Sequence, residues 1–140
     1  MEIILMGHGH FASGLLSSLE LIAGTQERIT VIDFIESMSS EELEEQLRQS
    51  LKDKTEVLIL CDLLGGTPFK VASLQAYQKE EQEIQVIAGT NLPLLLNVAL
   101  SYHQRDDDLI EKLTADACKG IVSAKNLLSK SSANDWEDGI

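Results

Sequence analysis

The sequence predicts an α/β fold of three layers, an open sheet of four mostly parallel strands covered by helices on both faces. Three observations carry that prediction. Apolar segments at residues 2–6 (EIILM), 29–34 (ITVIDF), 57–61 (VLILC) and 84–88 (IQVIA) lack clean alternation, as strands buried on both faces do. Helical periodicities fill the intervals between them, so strand and helix alternate. Three of the four strands run straight into glycine-rich or polar loops, at 7–10, 62–67 and 89–92.

Each element has its own local signal. After the first strand, Phe11, Leu15, Leu19 and Ile22 recur at helical spacing, and Gly24 suits a left-handed stop. The segment SMSSEELEEQLRQSL places Ser39 three residues before Glu42, a capping-box spacing, and repeats leucine at 43, 47 and 51. Its acidic remainder reads as a solvated helix face. Pro68 fits the first turn of the next helix, where its missing N–H costs no hydrogen bond. The fourth strand leads through GTNLP into the apolar helix LLLNVAL, and Asp107 or Asp108 can cap a helix carrying Leu109, Ile110, Leu113 and Ala117. Beyond Gly120, Ile121 and Val122 suit either a short edge strand or a last helical turn. Residues 131–140 are acidic and are expected to form a flexible tail.

A chain of 140 residues with 44% hydrophobic content suits one domain with a single core. Its net charge of −12 opposes binding to nucleic acid or anionic membrane and favours a cationic protein partner. Two cysteines without metal or redox spacing read as buried free thiols, and no apolar run approaches a membrane span. The expectation is a soluble cytoplasmic protein.

In a parallel sheet the loops 7–10, 62–67 and 89–92 share one edge, the edge where open α/β sheets bind ligands. The first loop lacks the third glycine of a dinucleotide fingerprint, no GK[ST] follows, and Asp33 alone would have to serve as ribose ligand. The loop's glycines instead let N–H groups point at a small anion near a helix start. A histidine in that turn, His8 or His10, sits within reach of Asp62 at the end of the third strand. With Nδ1–H held by the carboxylate, Nε2 keeps an outward lone pair as a nucleophile, and loop N–H groups with the Thr67 hydroxyl can hold phosphoryl oxygens. The plainer alternative is a pair of histidines bonded within a loop. Two histidines and one aspartate make no convincing metal site, and no serine elbow or cysteine partner supports a hydrolase. Lys70 either adds positive charge at this edge or is an ordinary surface lysine.

Three motifs in order, MGHGHFASGLL, CDLLGGTPFKVA and AGTNLPLLLNV, together resemble the IIA components of the mannose, fructose, sorbose and N-acetylgalactosamine family of the bacterial sugar phosphotransferase system. The resemblance spans residues 1–130, read as a IIA domain. It implies that His8 is phosphorylated by the phosphocarrier HPr and passes the group to a IIB component, with Asp62 orienting the ring. It also implies a phosphate pocket from Gly9, Gly65, Gly66, Thr67 and Asn91, with His10 and Lys70 as modulators. The IIC and IID membrane components would act only indirectly. No metal or other cofactor is implied. The family fold implies a homodimer in which an antiparallel edge strand is exchanged between subunits, and the segment 120–124 fits that strand. The chain reads as a freestanding IIA subunit. Lys70 departs from the asparagine common in relatives. Two alternatives are the phosphohistidine subunit of a phosphotransferase-dependent dihydroxyacetone kinase and a regulatory binding module without transfer activity.

Overall fold

A computed structural model describes residues 1–101 and 108–129. Strands and helices alternate as β1 (Glu2–His8), α1 (Phe11–Ala23), β2 (Ile29–Phe34), α2 (Ser40–Leu51), β3 (Glu56–Cys61), α3 (Thr67–Gln78), β4 (Glu83–Ile87) and α4 (Leu92–Ser101), followed by α5 (Leu109–Cys118) and α6 (Ala124–Leu128). The four strands form one parallel sheet in the order β2-β1-β3-β4.

Alternate residues of the strands feed two separate cores, which makes three layers. Ile3, Leu5, Leu58 and Leu60 point to one face, where Ala12 and Leu19 of α1, Leu94, Leu95 and Val98 of α4, and Leu113 and Ala117 of α5 cover them. Ile4, Met6, Ile32, Val57, Ile59 and Cys61 point to the other, under Leu43, Leu47 and Leu51 of α2 and Ala72 of α3. Every second strand residue serves a different core, so the strands read as unbroken apolar runs. The predicted capping box is present: the Ser39 hydroxyl accepts the Glu42 N–H at 3.1 Å, and the Glu42 carboxylate accepts the Ser39 N–H at 3.3 Å.

Two expectations change, the end of β1 and the burial of Cys118. β1 continues two residues beyond Met6, because Gly7 and His8 stay in register with Asp33 and Phe34 of β2, so His8 is the last residue of a strand and not part of a loop. The antiparallel edge strand is expected from a second subunit; within the single chain, residues 121–123 have no regular structure and α6 starts at Ala124. A strand needs a ladder partner, and Ile121 and Val122 instead stand exposed. Cys61 is buried as expected, but Cys118 is exposed at the end of α5, whose inward positions are taken by Leu113 and Ala117. The expected tail at 131–140 lies outside the described residues, as does Asp107.

Candidate functional site

The chain goes from β1 to β2 on one side and its next strand, β3, lies on the other, so a crevice opens where the C-terminal ends of β1 and β3 part. Such switch points are the binding crevices of open α/β sheets. His8 ends β1 there, and Asp62 directly follows β3.

The two side chains are joined. His8 Nδ1 lies 2.7 Å from Asp62 Oδ2, and the same oxygen accepts the His8 backbone N–H at 2.8 Å. The other carboxylate oxygen accepts the Leu63 N–H at 2.7 Å. The Asp62 main chain is fixed as well, since its N–H donates to Met6 at 3.2 Å and its carbonyl accepts from Gly89 at 3.0 Å. Burial raises the carboxyl's pKa, yet the hydrogen bonds from the His8 backbone, the His8 ring and Leu63, with the attraction of the His8 charge, outweigh it. The net result lies below the ordinary carboxylate value, so Asp62 is an anion near neutrality. An anionic acceptor at Nδ1 selects the tautomer with the proton on Nδ1 and the lone pair on Nε2.

Two walls set the ring's position. Phe34 meets it edge-on, with ring centroids 5.8 Å apart. On the other side, a Cβ placed on Gly66 would come within 2.8 Å of His8 Cε1, so glycine is what allows the α3 start to approach the ring this closely. Gly66 is the N-cap of α3 and Pro68 sits in its first turn, which brings the positive end of a helix dipole to the imidazole. Gly9, with φ 58°, makes the left-handed turn out of β1, and its N–H donates to Phe34 at 2.8 Å. The histidine side chain keeps 46% of its surface exposed while Asp62 keeps 13%, so the ring is open and its carboxylate is sheltered.

The structure brings His8 and Asp62 into direct contact with Gly66 close beside the ring, with Gly9 and Gly65 in the adjoining turns and Thr67 at the first position of α3. The Asn91 side chain is bonded within the α4 and α5 region. Its Oδ1 accepts the Leu94 N–H at 2.9 Å and its Nδ2 donates to the Ala117 carbonyl at 3.0 Å, which caps α4 and ties it to α5. Lys70 is exposed on α3. His10 is the N-cap of α1, and its Nδ1 lies 3.2 Å from Asp33 Oδ2 on the far side of β1 from Asp62. Asp33 and the half-buried Phe34 wall are contacts that sequence reasoning missed. The only signal for them was their place at the end of β2, next to β1 in the parallel register.

Cys61 precedes Asp62, but burial, and then the Asp62 charge, push its thiol up to about 12, which leaves it a protonated core residue. Among the described residues no group of three or more His, Cys, Asp or Glu side chains is placed to hold a metal ion. Among the same residues no helix is long and apolar enough to cross a membrane.

A family model described as PTS system fructose IIA component matches residues 2–116. The chain is 35% identical over 119 residues to the PTS system fructose-specific EIIA component of Bacillus subtilis, covering 82% of this chain and 80% of that one. It is 39% identical over 111 residues to the PTS system mannose-specific EIIAB component of Escherichia coli, covering 77% of this chain and 33% of that longer protein. A crystal structure of phosphotransferase system component EIIA from Streptococcus agalactiae superimposes with a TM-score of 0.86 at 42% identity, covering 89% of this chain and 98% of that one.

Proposed function

Because the chain belongs to the phosphotransferase-system fructose IIA component family, we propose that it is a cytoplasmic phosphoryl relay in sugar uptake, with His8 as the residue that carries the phosphate. The observation that carries this reading is the 2.7 Å contact between His8 Nδ1 and the Asp62 carboxylate beneath a half-exposed ring at the switch point of the sheet.

The chemistry follows from that contact. The carrier HPr presents a phosphohistidine, and the lone pair on His8 Nε2 attacks phosphorus in line with the departing donor nitrogen. The donor P–N bond breaks, and its electron pair returns to the donor imidazole. The proton on His8 Nδ1 stays in its bond to Asp62, whose anionic charge balances the positive charge that grows on the ring. The α3 start, with Gly65, Gly66 and the Thr67 hydroxyl, faces the three phosphoryl oxygens and supplies the dipole that favours them. The same attack run from a IIB histidine on phospho-His8 then empties the site. Enzyme I, HPr and phosphoenolpyruvate should add one base-stable, acid-labile phosphate that maps to His8. Labelling that stays at its full level after His8→Ala would overturn the reading, and a folded chain that takes no phosphate from HPr would instead favour a regulatory binding module.

We also read the chain as one subunit of a homodimer. Ile121 and Val122 are 76% and 57% exposed just beyond α5, and β4 ends the sheet with β3 as its one neighbour among the described strands. An extended segment from a second copy would find an open ladder there. Light scattering should give the mass of two chains, and Val122→Pro, which removes a ladder donor, should shift the balance toward the monomer.

A further inference from the structure

The structure holds a second histidine and carboxylate pair on the other side of β1. His10 Nδ1 lies 3.2 Å from Asp33 Oδ2, and Asp33 is itself pinned by Ser13, whose N–H donates to Oδ1 at 3.0 Å and whose hydroxyl donates to Oδ2 at 2.6 Å. Burial raises the Asp33 carboxyl, but the Ser13 hydroxyl, the Ser13 N–H and the His10 ring and charge together hold it below the ordinary value. The Ser13 proton is spent on the carboxylate, and among the described residues no histidine nitrogen is bonded to its oxygen as a base. The reactive group of this cluster is therefore the imidazole.

Its arrangement repeats that of His8. A fixed anion at Nδ1 leaves the lone pair on Nε2. The His10 side chain is 83% exposed and its carboxylate 19%, so an open ring again sits on a sheltered partner. The two rings are bonded on opposite sides of β1, His8 toward the end of β3 and His10 toward β2, so they form separate sites at the C-terminal end of that strand. The ring opens to donors that need no shaped docking face.

We propose that His10 is a second phosphoryl acceptor, open to phosphoryl groups carried on nitrogen, whether in a small phosphoramidate or on the phosphohistidine of a carrier protein. The carrier route rests on the relay read at His8, whereas the small-donor route does not. His10 Nε2 attacks phosphorus, a new N–P bond forms as the donor N–P bond breaks, and the electron pair leaves on the donor nitrogen as ammonia or an imidazole. The Nδ1 proton stays between the ring and Asp33.

The test uses the full chain carrying His8→Ala, exposed in separate arms to potassium phosphoramidate and to phosphorylated HPr, with the modified residue mapped by mass spectrometry under non-acidic conditions. Free N-acetylhistidine in the same reaction is the reference. Phosphoramidate should label His10 about 10-fold faster than free N-acetylhistidine, the scale of one charge-assisted hydrogen bond, and adding Asp33→Asn should remove that advantage. The amide introduced by Asp33→Asn keeps an oxygen for the Ser13 N–H, so the start of α1 is preserved, and circular dichroism checks it. Ser13→Ala should leave the His10 advantage in place. Labelling of His10 by HPr as well would make it a carrier site, and labelling by phosphoramidate alone a small-donor site. A His10 rate no higher than that of free N-acetylhistidine with both donors, or an advantage that survives Asp33→Asn in a folded chain, would overturn the proposal. Loss of HPr labelling at His8 in the unsubstituted chain is a different result, and it bears only on the relay.

Discussion

His8 and His10 are two residues apart, each gives Nδ1 to an aspartate carried by a neighbouring strand, and each aspartate takes two further hydrogen bonds that hold its charge. They differ in what surrounds the ring. His8 stands in the crevice between β1 and β3, touched by Phe34 and by the glycine start of α3, whereas His10 caps α1 over the adjacent pair β1 and β2 with most of its surface in solvent. A histidine with its tautomer set by a carboxylate is therefore common to both positions. Of the two rings, only that of His8 is held between walls, and on the relay proposed for it that enclosure would fix the ring for in-line attack.

The most severe test of this contrast removes the supporting groups one at a time and follows transfer from HPr. Asp62→Ala should slow phosphorylation of His8 by about 10²-fold, the scale of a lost charge-stabilising contact, measured by rapid-quench labelling. His10→Ala should keep most of the rate, because its ring and Asp33 lie on the other side of β1. Equal rates for the Asp62→Ala chain and the unsubstituted one would leave the 2.7 Å contact without a catalytic role.

A smaller effect isolates the walls. An added methyl on Gly66 would come within 2.8 Å of His8 Cε1, and the ring has little room to yield because Asp62 and Phe34 hold its other sides. Gly66→Ala should therefore cost roughly 10-fold in transfer, less than the loss seen for a full ångström of misplacement. Gly9→Ala is a useful contrast, since a Cβ there meets no neighbour within 4 Å and its cost comes from the left-handed backbone, read as lost thermal stability. A Gly66→Ala chain with unaltered transfer would mean that the ring is not held by α3.

Much of this was legible in the sequence because it follows from short-range patterns. Unbroken apolar strands, the Ser39 and Glu42 pair, and the ordered motifs around His8 and Asp62 announce the layers, a helix start and the phosphotransferase-system family. The contacts that distinguish the two histidines are between segments 20 or more residues apart: Asp33 reaches His10 and Ser13 only because β2 lies beside β1, and Asn91 turns to Ala117 only because α5 packs on α4. Parallel pairing leaves no local trace of strand order, so the choice of Asp33 for His10 could not be read from spacing. The end of β1 was misplaced for a related reason. Gly7 looks like a turn residue, but in the sheet a Cβ there would fall 2.6 Å from Phe11 Cδ1, so the glycine marks the close approach of α1 to a strand that continues.

The smallest expected effect is one on which the two pairs should agree. Both aspartates are held below the ordinary carboxylate value in the folded chain, despite the opposing effect of burial. Unfolding releases them to about 3.9, so between the folded and unfolded values the unfolded chain binds more protons and stability rises with pH. The stabilisation is fully present above about pH 5 and is lost as pH falls through the folded values. Asp33→Asn and Asp62→Asn should each flatten the acid limb of a urea-unfolding series by a similar amount, on the order of 1 kcal/mol at neutral pH for a hydrogen-bonded charge at a partly open site. Near-equal acid limbs joined to very unequal transfer rates would place the difference between the histidines in the enclosure of the ring and not in the strength of its carboxylate. If Asp33→Asn left the acid limb unchanged, the hydrogen bonds from Ser13 would be too weak to hold that carboxylate, and the parallel between the two pairs would end with their geometry.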